Sequence, residues 1–167
     1  DLDGNLGTIE AYYDTVLGIT WLANANYAKT SGSSSTGHMN WATATAWAAS
    51  LELGAQPGPD AWRLPLVVDT DGPDADSLGD DGCDWGDSGT DCGINDDTAT
   101  GEMPHMYYVT LGNDAWFDPS GNPSGSCSES SPFCLSNTGP FSNLEAYLYW
   151  SGTEYVHDTP GVSAWYF

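Results

Sequence analysis

Residues 60–65 read Asp60-Ala61-Trp62-Arg63-Leu64-Pro65 and contain the only arginine of this 167-residue chain, whose one other base is Lys29. A guanidinium carries five donors in a rigid fork that suits carboxylates and main-chain carbonyls. Because Arg63 stands beside Trp62 at the entry to an aspartate-rich loop, we predict that these two residues form an internal structural anchor. In this anchor the guanidinium stacks on the indole and pairs with a buried acid; a ligand-binding arginine is the alternative.

The same stretch opens a predicted short strand over residues 62–68. Pro65 has no N–H to donate to a ladder, which confines such a segment to a short strand or to a sheet edge. Side chains alternate between the two faces of a strand. We therefore expect Trp62 and Leu64 on one side and Arg63 and Pro65 on the other.

The composition predicts one globular domain. Hydrophobic residues make up 40% of the chain and aromatic residues 13%, which is too apolar for a disordered chain despite a formal net charge of −22. Two basic residues cannot neutralise a phosphate backbone, so we expect no nucleic-acid partner. The absence of an 18-residue apolar run predicts no membrane insertion. Cations, neutral sugars, or a neighbour met through apolar and main-chain contacts suit such a surface.

The four cysteines form two close pairs within loops rich in Gly, Ser and Asp, and no His and Cys spacing matches a zinc site. Two local disulfides are the simplest of the three connectivities, and they indicate an oxidising, extracytoplasmic setting. A chain that starts at Asp1 without Met fits a processed secreted protein. The predicted disulfide residues are Cys83 with Cys92 and Cys127 with Cys134.

The loop from Asp69 to Asp97 holds eleven of the 24 acidic residues. Its first part alternates Asp with other residues around an early Gly, as extracellular calcium loops do, and hard cations prefer several oxygen ligands. It has no 12-residue EF-hand frame. Two interpretations stay open: a solvated acidic loop held by a disulfide, or a Ca²⁺ site. The candidate calcium ligands are Asp69, Asp71, Asp74 and Asp76.

Hydrophobic spacing predicts an α+β fold in which two helices pack against a small, irregular antiparallel sheet with long, disulfide-stapled loops. Residues 11–22 read as two short strands around a turn at Asp14 and Gly18. One helix begins after Asn40 as its N-cap and ends at Gly54, and a second runs from about Glu102 to Gly112. Late strands are predicted over residues 144–150 and 163–167, and the segment 24–37 as a loop.

Four motifs in this order resemble one family: residues 13–22 (YDTVLGITWL), 40–42 (NWA), 60–65 (DAWRLP) and 149–155 (YWSGTEY). The chain is similar to the Lcl C-terminal domain family of bacterial surface proteins, and most similar to secreted members with a PEP-CTERM sorting tail. The resemblance covers residues 12–167. It implies an extracellular module with a fold like that of C-type lectins and formylglycine-generating enzymes.

The chain departs from that family where it stops. Members continue past the segment that matches residues 164–167 into at least one further strand, so a single domain over residues 11–167 is expected to lack its last strand. That strand is either truncated or donated by a neighbour. Residues 1–10 form a polar lead-in, and their spaced Leu2, Leu6 and Ile9 make it a candidate inter-subunit strand.

The sequence predicts no enzyme. Glu102 and His105 lie near a helix start, where an N-terminal helix charge and a packed or surface histidine are the simpler interpretations, and no nucleophile motif accompanies them. Aromatic residues crowd the last 21 positions. Alternation places some rings inward, and outward rings would form an interface or stack on sugars. The candidate residues are Tyr147, Tyr149, Tyr155 and Tyr166.

An open sheet edge invites pairing with another chain, and strand addition uses main-chain hydrogen bonds that do not depend on side-chain charge. The leading hypothesis is therefore an extracellular structural or adhesive protein, a pilus-like fibre subunit that self-associates by strand addition. The alternative is a lectin-like module that binds carbohydrate or matrix.

Overall fold

The computed structural model describes Leu2 and residues 7–54, 62–68, 98–99, 101–118, 120, 122–124, 134–154 and 164–166. The chain is a small mixed α/β protein with short antiparallel two-stranded sheets and few helices. It divides into two compact units. Unit 1 comprises Asp1–Leu64 and Thr138–Glu145, and unit 2 comprises Pro65–Asn137 and Ala146–Phe167. The single domain expected over residues 11–167 stays a prediction.

Unit 1 begins with the predicted hairpin. Strands β1 (Ala11–Asp14) and β2 (Ile19–Leu22) pair antiparallel, with Tyr12 opposite Trp21 and Tyr13 opposite Thr20. The turn forms because Asp14 Oδ1 accepts from the N–H groups of Val16 and Leu17, at 2.9 and 3.0 Å. Gly18 then closes it at φ 70°, a left-handed conformation that glycine adopts without a Cβ clash. The hairpin prediction is confirmed.

Two helices follow in unit 1. Helix α1 (Tyr27–Thr30) is a single turn within the segment predicted as a loop. Helix α2 (Trp41–Ala49) starts as predicted, because Asn40 Oδ1 accepts from the Thr43 N–H at 2.8 Å. Its predicted end at Gly54 is wrong, since Ser50 is the C-cap and caps the last turn with its own N–H. The buried side chains of these helices are small: Ala28, Ala44 and Ala48.

Unit 2 contains a helix of mixed type. Helix α3 (Glu102–Pro104) runs directly into a π-helix over His105–Thr110. Pro104 is tolerated there because the first-turn N–H groups have no intrahelical partner. Gly112, at φ 67°, follows the C-cap Leu111. The second predicted helix is thus confirmed in position, although most of it has the wider π geometry.

The sheet of unit 2 comprises β3 (Trp150–Glu154) and β4 (Ala164–Tyr166), which pair antiparallel with a register shift between Trp150 and Glu154. The strand predicted over residues 144–150 is wrong, because the chain passes from unit 1 to unit 2 after Glu145 and β3 begins only at Trp150. In the described residues the four strands form two separate ribbons, where the sequence predicted one small sheet.

Residues 62–68 do not form the predicted strand. In place of a ladder, the Val67 main chain bonds the Thr153 hydroxyl in both directions. The Leu66 N–H donates to Glu102 Oε2 at 2.7 Å, and the Glu102 N–H donates back to the Leu66 carbonyl at 2.8 Å. Pro65 offers a carbonyl alone, which accepts from the Gly152 N–H at 2.7 Å. The side chains of Thr153 and Glu102, together with the main-chain N–H groups of Glu102 and Gly152, therefore satisfy this segment where a neighbouring strand would otherwise do so.

Candidate functional site

The candidate calcium ligands and most of the cysteines lie outside the described residues. These are Asp69, Asp71, Asp74 and Asp76, together with Cys83, Cys92 and Cys127. Cys134 is described: it is buried and takes part in a disulfide, while the pairing predicted for it stays a prediction. Within the described ranges, no three His, Cys, Asp or Glu side chains come together as a metal-binding group.

Of the two residues of the predicted structural anchor, Trp62 makes an internal contact and Arg63 lies at the surface. Trp62 Nε1 donates to the Leu53 carbonyl at 2.9 Å, which ties residue 62 to the segment after α2 within unit 1. Arg63 is exposed, and its Nη1 donates to the carbonyl of Leu64 at 3.1 Å. The expected burial of the guanidinium is therefore wrong. A charge kept at the surface avoids the desolvation cost that a buried guanidinium would have to offset.

Glu102 and His105 have local structural contacts. The Glu102 carboxylate accepts from the Leu66 N–H, and His105 Nδ1 lies 2.9 Å from the Thr98 carbonyl. Burial, together with the nearby Asp114 carboxylate, raises the pKa of Tyr107 to about 12. The Tyr107 and Tyr108 rings meet edge to face, with centroids 5.1 Å apart. Glu102 and His105 thus connect the start of the mixed helix to two other segments of unit 2.

The aromatic residues near the end of the chain differ in their exposure to solvent. Tyr147 is 50% exposed and Leu148 is 45% exposed, so they form a small apolar surface. Tyr149 is half-buried. Tyr166 lies in β4 opposite Trp150, and Tyr155 lies outside the described residues. The alternation expected over residues 147–150 is absent, because both Tyr147 and Leu148 face solvent.

The open edge of β1 is the feature of unit 1 that offers most to a partner. The Ala23 N–H donates to the Glu10 carbonyl at 2.8 Å, and the β1–β2 register continues this pairing through Tyr12 and Asp14. Hydrogen-bonding direction alternates along a strand. The main-chain groups of Ile9, Ala11 and Tyr13 therefore point away from β2. No hydrogen bond reaches them on that side in the described part of the chain, where the ribbon has two strands only.

The side chains of the ribbon have two different faces. Tyr12 packs inward, edge to face on Phe141 with ring centroids 5.7 Å apart, and its hydroxyl donates to the Pro140 carbonyl at 3.1 Å. On the opposite face Ile9 and Tyr13 are each 66% exposed. At the hairpin tip Val16 is 75% exposed. We call the outer main-chain groups of Ile9, Ala11 and Tyr13, with these exposed side chains, the β1 edge.

The β1 edge lacks the usual protection of an edge strand. Natural sheets discourage edge pairing with lysines, prolines, bulges or inward charges. β1 has the sequence Ala-Tyr-Tyr-Asp, and it pairs with β2 in regular register. Its one charged residue, Asp14, points toward the turn, where Oδ1 accepts two N–H groups. The edge can therefore accept main-chain hydrogen bonds from another strand.

Charge is distributed unevenly between the two units. Unit 1 contains seven of the 24 acidic residues and both basic residues, a formal charge of −5. Unit 2 contains the other seventeen acidic residues and no base, a formal charge of −17. A contact between like-charged copies of the chain therefore meets the least electrostatic repulsion when unit 1 makes it.

Comparison with family models, with curated proteins and with solved structures found no match for this chain. None of the helices in the described residues is long and apolar enough to span a membrane.

Sequence reasoning missed the β1 edge because it assigned residues 1–10 to a polar lead-in. The signal was present in Ile9, an apolar residue between Thr8 and Glu10 directly before the predicted strand. That pattern extends the predicted hairpin by two residues, as the bond between Ala23 and Glu10 does in the structure.

Proposed function

We propose that this chain is a non-catalytic, extracellular structural protein, the subunit of a bacterial surface fibre that self-associates by strand addition. The observation that carries the proposal is the β1 edge: outward main-chain groups at Ile9, Ala11 and Tyr13, beside exposed apolar side chains. Strand addition derives its affinity from main-chain hydrogen bonds, so it suits a chain with a net charge of −22.

Three further features support an extracellular setting. Cys134 takes part in a disulfide, and disulfides persist in oxidising compartments. The motifs of residues 13–22, 40–42, 60–65 and 149–155 resemble the Lcl C-terminal domain family, whose lectin-like fold we propose for this chain. Two bases among 167 residues suit a surface that meets ions, sugars or its own copies.

Calcium is part of this proposal. The aspartates at positions 69, 71, 74 and 76 are close enough in sequence to supply several oxygen ligands to one hard cation. A bound Ca²⁺ would also reduce the repulsion within the seventeen acids of unit 2. Calorimetric titration with CaCl₂ tests this directly. Loss of the binding heat in a variant with all four aspartates changed to asparagine would support the site, and an unchanged heat would contradict it.

The test of self-association is size-exclusion chromatography with light scattering over a range of protein and salt concentrations, followed by negative-stain microscopy. We expect concentration-dependent oligomers or fibres, favoured by salt because the Debye length shortens to about 8 Å at physiological ionic strength. A monomer that persists at high protein concentration, with and without CaCl₂, would contradict the proposal.

A lectin-like function is the second candidate. It is favoured by Tyr147, whose ring is half exposed beside Leu148, because exposed aromatic faces stack on sugars. A glycan array tests it: binding that is lost in Tyr147→Ala and kept in the control Tyr13→Ala would favour this function. An array without signal would contradict the lectin-like function, and the fibre subunit would then be the one remaining proposal.

A further inference from the structure

We infer that the β1 edge pairs with β1 of a second copy of this chain, antiparallel about a two-fold axis at Ala11. The inference rests on the proposed self-association and specifies its contact. It would join two β1–β2 ribbons into one four-stranded sheet and make a symmetric dimer the building block of the fibre.

The obvious alternative pairs the β1 edge of one copy with the β2 edge of the next. A two-fold contact differs from it because it uses the same edge of both copies, so the pair closes and no third copy adds to the sheet.

The edge of β2 is also less accessible than that of β1. Directly after β2, the Ser142 N–H donates to the Ala23 carbonyl at 2.8 Å, and the Ala25 N–H donates to the Ser142 carbonyl at 2.9 Å. The segment that contains Ser142 thus runs alongside the end of β2. In the described part of the chain, the main-chain groups of Thr20 and Leu22 alone point outward on that side, whereas β1 offers those of Ile9, Ala11 and Tyr13.

The N-terminal lead-in is a poor donor of the added strand. The Leu2 N–H donates to Glu10 Oε2 at 3.1 Å, and the pKa of this carboxyl is lowered by its bonds from the Thr8 hydroxyl and from Leu2. Leu2 also lies against Gly54, where a Cβ would approach its side chain to 3.0 Å. Leu2 is therefore already engaged within its own unit.

The two-fold register suits the side chains. With Ala11 opposite Ala11 of the second copy, Ile9 faces the second copy's Tyr13, an aliphatic–aromatic pair of the kind that stabilises sheets. Glu10 faces Tyr12, and Asp14 faces Thr8, so no two carboxylates stand directly opposite each other. The three outward residues of each strand would exchange roughly six main-chain hydrogen bonds.

The charge distribution points to the same partner. Unit 1 has a formal charge of −5 and contains Lys29 and Arg63, the only cations of the chain, both of which are exposed. A contact through β1 brings together the two least charged units of a dimer, while the seventeen acids of each unit 2 contribute to a repulsion that salt screens.

The test compares Ala11→Pro with Thr20→Pro by light scattering. Both N–H groups point out of the ribbon, so proline removes no ladder bond within the chain in either variant. We expect the wild type and Thr20→Pro to dimerise alike, and Ala11→Pro to weaken the dimer at least tenfold. Hydrogen exchange should slow at Ala11 and Tyr13 on dimerisation, and not at Thr20.

Tyr13→Lys and its control Thr20→Lys keep the test valid if either proline variant fails to fold, as judged by circular dichroism. Each lysine lowers the net negative charge equally, so a dimer lost in Tyr13→Lys alone identifies the β1 edge. Equal dimerisation of the Ala11 and Thr20 variants, or equal loss in both, would overturn the inference. If the wild type associates while the β1 variants are unaffected, only this inference fails; if the wild type stays monomeric, the proposed function fails as well.

Discussion

The Thr153 hydroxyl bonds the main chain of Val67 in both directions. Oγ1 donates to the Val67 carbonyl at 2.5 Å and accepts from the Val67 N–H at 3.2 Å. A hydroxyl can fill both roles at once. Val67 is buried in unit 2, so its main-chain groups need partners. One side chain on β3 thus gives both main-chain groups of Val67 the partners that a neighbouring strand would otherwise supply.

Thr153→Val is expected to lower the free energy of unfolding by about 1–3 kcal/mol, because it leaves the buried Val67 N–H and carbonyl without a partner while preserving shape. Thr153→Ser keeps the hydroxyl and should recover most of the loss. Thr20→Val, on an exposed strand position, serves as the control. Urea unfolding measures all three, and a Thr153→Val effect no larger than that of Thr20→Val would contradict the role assigned to the hydroxyl.

The buried side chain of Asn113 stabilises a turn in unit 2 through hydrogen bonds. It is 4% exposed. Its Oδ1 accepts from the N–H and hydroxyl of Ser136 at 3.0 and 3.1 Å and from the Asn137 N–H at 2.8 Å, while its Nδ2 donates to the Asn137 carbonyl at 3.0 Å. Asn113→Ala should cost at least about 2 kcal/mol in thermal or urea unfolding, because four part-buried hydrogen bonds of one buried side chain are lost together.

The control for Asn113 is Asn122→Ala. Asn122 also donates through its side chain, to Asp118, but it is exposed. Water can replace its bonds, so we expect a change of less than about 1 kcal/mol. Similar losses in the two variants would show that burial does not decide the effect.

Alanine substitutions at Gly37 and Gly32 distinguish the cost of a steric contact from the cost of backbone strain in unit 1. Both have left-handed φ, 88° and 81°. A Cβ on Gly37 would lie 2.1 Å from Asn26 Oδ1, whereas a Cβ on Gly32 meets nothing within 4 Å. Gly32→Ala should therefore cost about 1–2 kcal/mol from φ alone. Gly37→Ala should cost more, since Asn26 must move and its bond to Glu145 at 3.3 Å is disturbed.

Chemical denaturation measures the difference between the two alanine variants. An equal loss in both would show that the Asn26 side chain moves aside without cost. The chemical shifts of the Asn26 side-chain amide should change in Gly37→Ala and stay constant in Gly32→Ala.

Tyr107 gives the stability of the chain a dependence on alkaline pH. Burial first, and the Asp114 carboxylate second, raise its pKa from 10.0 to about 12. The folded chain then keeps a proton that the unfolded chain loses above pH 10. This contribution is complete below pH 10 and is lost as the pH rises from 10 toward 12.

Urea unfolding between pH 9 and pH 12 should therefore show a steeper loss of stability in the wild type than in Tyr107→Phe. Tyr13→Phe, at an exposed position, should follow the wild type. Parallel curves for the wild type and Tyr107→Phe would contradict the assignment of the pH dependence to Tyr107.

Local sequence chemistry predicted the elements whose partners lie within a few residues. Asn40 marked the start of α2 because an N-cap bonds an N–H three residues on. Asp14 and Gly18 marked the hairpin turn for a similar reason, and Pro104 placed the first turn of the second helix. The end of α2 and the exposure of Arg63 escaped prediction, since both depend on what surrounds them.

By itself the sequence determined the mixed class of the fold, the hairpin, the two helix starts and the excess of negative charge, because these follow from composition and from contacts between near neighbours. Tertiary structure alone decided that Val67 bonds Thr153, 86 residues away, in place of a strand. It also decided that, among the residues the structure describes, the strands form two ribbons and the edge of β1 stays open. Whether a main-chain group has a partner depends on which distant segment reaches it, and no local pattern records that.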